Sequence, residues 1–182
     1  MPIGIGLDSG LATAIQSEIK VIPDFPKPEI MFQDLCPVFA NPGLMRTLAE
    51  SICATYGKSF DKVLAVESRG FVLGTSVALE ADVPLILARK KGKLPGLVHS
   101  MPYALEYGSE VLEIQLDAIR PGDRVLVVDD VLATGGTLAV AAQLVGLAGG
   151  EITGHAVIVV IEGLGGPARL APQPLYAALS VS

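Results

Sequence analysis

Residues 124–137, RVLVVDDVLATGGT, constrain this chain more than any other segment. An unbroken apolar run such as VLVV has to be covered on both faces, the mark of a strand inside a parallel sheet. Parallel neighbours need long crossovers, so helices must alternate with strands. The stretch that follows, GTLAVAAQLVGLAG over 136–149, reads as such a crossover helix. Asp129 and Asp130 then emerge at the carboxyl end of a buried strand, the edge at which open α/β sheets bind ligands. Ala133, Thr134, Gly135, Gly136 and Thr137 turn the chain into the helix. Glycines let backbone N–H groups close around an anion, threonine hydroxyls add donors, and a helix N-terminus favours negative charge. One end of the unit suits a phosphate, and the other offers two carboxylates to vicinal hydroxyls. A phosphate one sugar away from a diol is a ribose 5-phosphate. The unit is neither a P-loop, since GK[ST] is missing, nor a dinucleotide fingerprint, since G-x-G-x-x-G is missing.

The remaining pattern fits one α/β domain over residues 1–182, with a mostly parallel central sheet flanked by helices. Residues 8–20 place Leu11, Ile15 and Ile19 on one helical stripe, with Asp8 or Ser9 as the cap. Three prolines between Pro23 and Pro28 predict an extended segment. Residues 41–56 read as a helix capped by Asn41, with Pro42 in its first turn and Gly57 at its end. Buried strands are predicted at 61–67 and 83–89, with a helix at 69–81 between them, and the last strands at 151–162 and 174–180. EVLEIQL at 110–116 alternates, which predicts a more exposed strand. Residues 92–108 contain Pro95 and Pro102 and show no periodicity, the pattern of a long functional loop.

Charge and cysteine usage narrow the function classes. With 13 basic and 19 acidic residues the net charge is −6, which disfavours a nucleic-acid or anionic-membrane surface. No apolar run approaches the length of a membrane span, the longest being the six residues from Ala156 to Ile161. The N-terminus shows no secretory pattern, so a cytoplasmic protein is expected. Cys36 and Cys53 have no CxxC spacing and only two histidines accompany them, so buried free thiols are expected rather than a disulfide or a metal cage. A hydrophobic content of 51% against 18% charged residues points to apolar surface hidden in an oligomer.

DDVLATGGT (129–137) resembles the signature with which type I phosphoribosyltransferases bind 5-phosphoribosyl 1-diphosphate (PRPP). PDFPKPEIMFQDL (23–35), ESRGF (67–71), RKKGKLPG (89–96) and YALEYGS (103–109) resemble, in order and spacing, the motifs of the adenine-specific branch of that family. The resemblance implies the type I phosphoribosyltransferase fold, with a small N-terminal hood at about 20–40 and a mobile catalytic loop at about 92–108. It implies Mg²⁺-dependent transfer of the phosphoribosyl group from PRPP to adenine, a purine salvage step giving AMP and diphosphate.

By that resemblance Asp129 and Asp130 hold the ribose hydroxyls, and residues 133–137 hold the 5′-phosphate. ESRGF follows a strand as DDVLATGGT does, so Ser68 and Arg69 reach the same sheet edge and can meet the diphosphate. The family's turn here often has a cis peptide, expected between Glu67 and Ser68. Arg89, Lys90 and Lys93 are the candidate diphosphate cations, some of them reaching a partner's site in a homodimer. Met31, Phe32 and Arg69 match the adenine pocket. Glu106 matches the proposed acid–base residue, and Tyr103 and Tyr107 match residues that close the loop. Mg²⁺ is expected to be held through substrate oxygens and water, with no direct protein ligand.

Two positions depart from the family pattern. Glu29 stands where glycine is usual, and since glutamate does not readily take positive φ, a local displacement of the hood is expected. Met101-Pro102 replaces a small or β-branched pair in the loop. Transfer to another base, or a PRPP-sensing regulator without catalysis, remain the alternative readings.

Overall fold

The computed structural model describes residues 4–5, 9–104 and 109–182. In chain order the elements begin with β1 (Gly4–Ile5), α1 (Ser9–Glu18), β2 (Lys20–Ile22), β3 (Phe32–Asp34), α2 (Cys36–Phe39) and α3 (Pro42–Tyr56). They continue with β4 (Lys62–Val66), α4 (Gly70–Ala81), β5 (Leu85–Lys90), β6 (Val98–Ala104), β7 (Ser109–Gln115) and β8 (Arg124–Val128). The chain ends with β9 (Val131–Leu132), α5 (Gly136–Leu147), β10 (Glu151–Ile161), α6 (Gly166–Leu170) and β11 (Leu175–Val181).

The main sheet runs β1-β11-β10-β8-β4-β5-β7-β6, and β9 pairs with β10. From β1 to β5 all pairings are parallel, while β7 and β6 extend the sheet as an antiparallel hairpin. Successive residues of β8 serve opposite faces: Leu126 and Val128 pack with α1, α3 and α4, whereas Val125 and Val127 pack with α5. Burial on both faces explains the unbroken apolar run there. The chain steps from β4 to β5 on one side and later from β8 to β10 on the other. The order thus reverses between β4 and β8, where the loops leaving two adjacent strands diverge and open a crevice.

Most local expectations hold. Asn41 caps α3 by accepting from the Leu44 N–H at 3.1 Å, Pro42 opens the helix and Gly57 ends it. Cys36 and Cys53 are free thiols, but they are not buried as expected: Cys36 is exposed and Cys53 half-buried. No helix among the described residues is long and apolar enough to cross a membrane.

Other expectations are corrected. The proline segment is not extended throughout. β2 and β3 form an antiparallel hairpin, and residues 23–31 double back between them through left-handed Asp24 (φ 57) and Glu29 (φ 70). Within 92–108, residues 98–104 form β6, paired with β7 from Val98↔Gln115 to Ala104↔Ser109. Pro102 fits there because β6 is the terminal strand of the sheet. β7 is less exposed than its alternation predicts: Leu112, Glu113 and Ile114 are all buried. Glu113 tolerates burial because the Gly92 N–H and the Ser100 hydroxyl donate to its two oxygens, at 2.9 and 3.0 Å.

Glu29 takes the positive φ after all, at 70°. Asp24 Oδ1 accepts from the Glu29 N–H at 2.9 Å and holds the residue in place. A left-handed glutamate costs about 1 kcal/mol that glycine avoids. Glu29→Gly is therefore expected to raise the unfolding free energy by about 1 kcal/mol in denaturant titrations. A loss of stability would show that the glutamate side chain makes a compensating contact.

Candidate active site

The crevice between β4 and β8 gathers the charged side chains singled out from sequence. Asp129 and Asp130 follow β8 directly. Asp129 Oδ1 accepts from the Asp130 N–H at 2.8 Å, and Asp130 Oδ2 meets Arg69 Nε at 2.7 Å. Burial holds the Asp129 carboxyl well above the usual carboxylate range, and the neighbouring Asp130 charge adds to the effect. The close approach of α4 depends on Gly70, where an added Cβ would lie 2.8 Å from Asp129 Oδ1 and 3.0 Å from its Cα.

At the end of β4 the Glu67–Ser68 peptide is cis, as the motif implied. Glu67 itself is only 6% exposed along its side chain and gathers three donors. Arg89 Nε and the Lys90 N–H approach one oxygen at 3.1 and 3.2 Å, and Lys93 Nζ bonds the other. Burial pushes the Glu67 carboxyl up, but the bonds from Lys93, the Lys90 N–H and Arg89 outweigh it and leave the group below its ordinary range. Lys90 Nζ pairs with Glu110 Oε1 of β7 at 2.7 Å.

A cavity of about 620 Å³ lies among these groups, a size suited to a small-molecule ligand. Its walls include Glu67, Ser68, Arg69, Lys90 and Lys93 on one side, and Asp129, Asp130, Ala133 and Thr137 on the other. A second hollow of about 100 Å³ is formed by the 131–138 loop itself, including Thr134, Gly135 and Gly136. Gly135 has φ 77, a turn only glycine makes freely, and α5 starts immediately after it. Gly166, at the start of α6, backs the loop: a Cβ there would lie 2.2 Å from the Ala133 carbonyl oxygen.

The hood reaches this crevice through Phe32. The Arg69 guanidinium carbon stands 5.0 Å from the centre of the Phe32 ring, and Phe25 meets the same ring edge-on at 5.0 Å. Arg69 thus links the aromatic face of the hood to Asp130. Met31 is 56% exposed and so is not a core residue. Tyr103 is buried on the cavity wall and donates to Glu110 Oε2 at 2.9 Å. Burial, then the bond to Glu110 and its charge, push that phenol up to about 12. Glu106 and Tyr107 lie outside the described residues.

Twelve of the residues singled out from sequence therefore line one cavity or the other within a single crevice, but Arg89 lines neither and stands behind Glu67. The carboxylates Glu67, Glu110 and Glu113 were not anticipated. The available signal for Glu67 was its position immediately after a buried strand, the same signal that identified Asp129 and Asp130.

Comparison with known proteins places the chain. The phosphoribosyl transferase domain family matches residues 38–172. The adenine phosphoribosyltransferase of Salinispora arenicola is 48% identical over 177 residues, covering 96% of this chain and 94% of that protein. The crystal structure of the Rhodothermus marinus adenine phosphoribosyltransferase has a TM-score of 0.90 at 41% identity, covering 96% of this chain and all of that one. The Saccharomyces cerevisiae enzyme, solved with adenine and an imino-altritol bisphosphate, has a TM-score of 0.88 at 34% identity and covers 94% of this chain and 99% of its own. The chain belongs to the phosphoribosyl transferase family, on its adenine phosphoribosyltransferase branch.

Proposed function

We propose that the chain transfers the 5-phosphoribosyl group of PRPP to adenine, giving AMP and diphosphate. The observation that carries this reading is the meeting of the 67–70 turn, the 90–93 turn and the 129–137 loop at one crevice. Residues 133–137 hold the 5′-phosphate on backbone N–H groups and threonine hydroxyls at the start of α5. Asp129 and Asp130 accept from the ribose hydroxyls. Ser68, Arg69, Lys90 and Lys93, with Arg89 behind them, face the diphosphate, while Phe32 stacks on the purine and the backbone near Met31 reads its edge.

As the bond to diphosphate breaks, positive charge develops on the sugar. The carboxylates beside the ribose stabilise it without a protein nucleophile. Glu106 exchanges a proton with the adenine ring as N9 attacks, and Tyr103 and Tyr107 help to exclude water. The donor set fits Mg²⁺, because Asp129 and Asp130 present hard carboxylate oxygens to the cavity. No group of three metal-ligating side chains stands together among the described residues, so substrate oxygens and water would hold most of the ion. When bound, it neutralises the departing diphosphate. The enzyme is further proposed to act as a homodimer, for which exposed Val72, Leu79 and Leu97 offer apolar surface, and to work in the cytoplasm.

The test is to supply PRPP and Mg²⁺ with adenine, hypoxanthine, guanine or orotate and to separate the nucleotides by chromatography. AMP from adenine alone is expected; another nucleotide would overturn the base assignment, and none would overturn the reaction. Glu106→Gln is expected to lower kcat by roughly 100-fold while leaving the KM for PRPP within about threefold. Unchanged kcat in steady-state kinetics would remove Glu106 from the proton transfer.

A further inference from the structure

Each lysine on the wall of the larger cavity is already held by a carboxylate of the same chain. Lys93 is bonded to Glu67 and Lys90 to Glu110, and Arg89 stands behind them on Glu67. The Glu67 side chain is 6% exposed, so its charge is little screened by water, and both carboxylates line the cavity. The network of Arg89, Lys90, Lys93, Glu67 and Glu110 thus carries three cations and two anions, a net charge of +1 rather than +3, and the further cation of this wall, Arg69, is likewise paired, with Asp130.

A site built only for tight anion binding would leave these cations unopposed. Opposing them has two consequences. The side chains stay ordered in the absence of ligand, which lowers the entropic cost of engaging one. Each cation also has a competing partner to which it returns, which weakens the bound anion. For a transferase that leaves diphosphate in this corner, the second consequence acts on product release, a step that often limits turnover.

We infer that Glu67 and Glu110 are positioning residues that hold the diphosphate cations in place and, by competing for them, keep diphosphate affinity low enough for the product to leave. The inference stands on the diphosphate reading of this corner given above. It assigns a role to two residues that were not part of that reading.

The two carboxylates make their own signature possible. If they were only structural braces, removing their charge would misplace the cations, and diphosphate would bind more weakly. If they compete, the same change leaves the cations unopposed, and diphosphate binds more tightly. The direction of the shift separates the two roles.

Inorganic diphosphate, titrated calorimetrically into the full-length enzyme at fixed Mg²⁺ concentration, is the probe. Glu67→Gln keeps the size and one of the two acceptor oxygens and removes the charge. Its diphosphate Kd is expected to tighten roughly tenfold, with a lower KM for PRPP and a lower kcat. Glu67→Asp retains the charge and is expected to stay within about threefold of the parent. Glu110 is 30% exposed along its side chain, so Glu110→Gln is the variant least exposed to folding failure, and it is expected to tighten diphosphate by roughly threefold. AMP, which carries no diphosphate, is expected to bind all variants alike.

Unchanged or weaker diphosphate binding in Glu67→Gln and Glu110→Gln, with AMP binding intact, would overturn the inference. Were the parent enzyme to form no AMP from PRPP and adenine, the functional reading would fall instead, so the two failures are distinguishable.

Discussion

Asparagine in place of Asp130 is expected to lower kcat/KM for PRPP by roughly 100-fold. The Asp130 residue is only 5% exposed and its carboxylate pairs with Arg69 at 2.7 Å, so the substitution removes a charge that water cannot replace. Two losses combine. The ribose hydroxyls lose a charged acceptor, worth more than a neutral one. Arg69 also loses the partner that holds it across the Phe32 ring, so the KM for adenine is expected to rise as well. Varying each substrate in turn separates the two effects. An unchanged KM for PRPP would remove Asp130 from the ribose role, and an unchanged KM for adenine would break the proposed link through Arg69.

The second large effect is a loss of stability in acid, centred on His155. This residue lies in β10 with 1% exposure, and burial holds its imidazole down at about 4. Nδ1 has no hydrogen-bond partner among the described residues. Above pH 6.5 both folded and unfolded states are neutral, and the group contributes no pH dependence. Below 6.5 the unfolded chain takes up a proton that the folded chain refuses, so stability falls until about pH 4, where the native imidazole also protonates. The window is worth about 3 kcal/mol. Asp129 acts in the opposite sense, since a raised carboxyl stabilises the fold at the lower pH. The contribution is therefore read as a difference between parent and His155→Leu in denaturant titrations. That difference is expected to be flat above pH 7 and to change by about 3 kcal/mol between pH 6.5 and 4 in favour of the variant. A flat difference throughout would mean that the folded imidazole titrates normally.

How far the site could be read from sequence depends on the range of the interactions that make it. The segments around Glu67–Ala81 and Asp129–Leu147 were legible because burial on both faces leaves an unbroken apolar run, and the following turn residues are adjacent in sequence. Asn41, Pro42 and Gly57 mark the ends of α3 by equally local chemistry. Strand β6 was not legible, since Pro102 and mixed polarity disguise a strand whose edge position is fixed only by its partner β7. The cation network escaped for the same reason: Glu67 meets Lys93 across 26 positions and Lys90 meets Glu110 across 20. A run such as RKKGK reads as free charge until the opposing carboxylates are located in space. Glu29 shows the reverse case, where a residue-type rule predicted displacement but a single bond from its N–H to Asp24 holds the turn.

The packing of Gly166 against the Ala133 carbonyl bears on how portable the 129–137 loop is. Residues 129–137 look like a cassette that could be transplanted into any parallel sheet. Their shape, however, is moulded from outside by a segment about thirty residues downstream, where even one methyl group on Gly166 would intrude and where a Cβ added at Gly135 would in turn crowd the Gly166 carbonyl oxygen at 3.1 Å. A graft that carries the signature alone would bring the donors without the wall that sets their curvature. The smallest transferable unit runs from β8 through α6, and a designer who trims the C-terminal third of the domain would be cutting into the wall that shapes this loop.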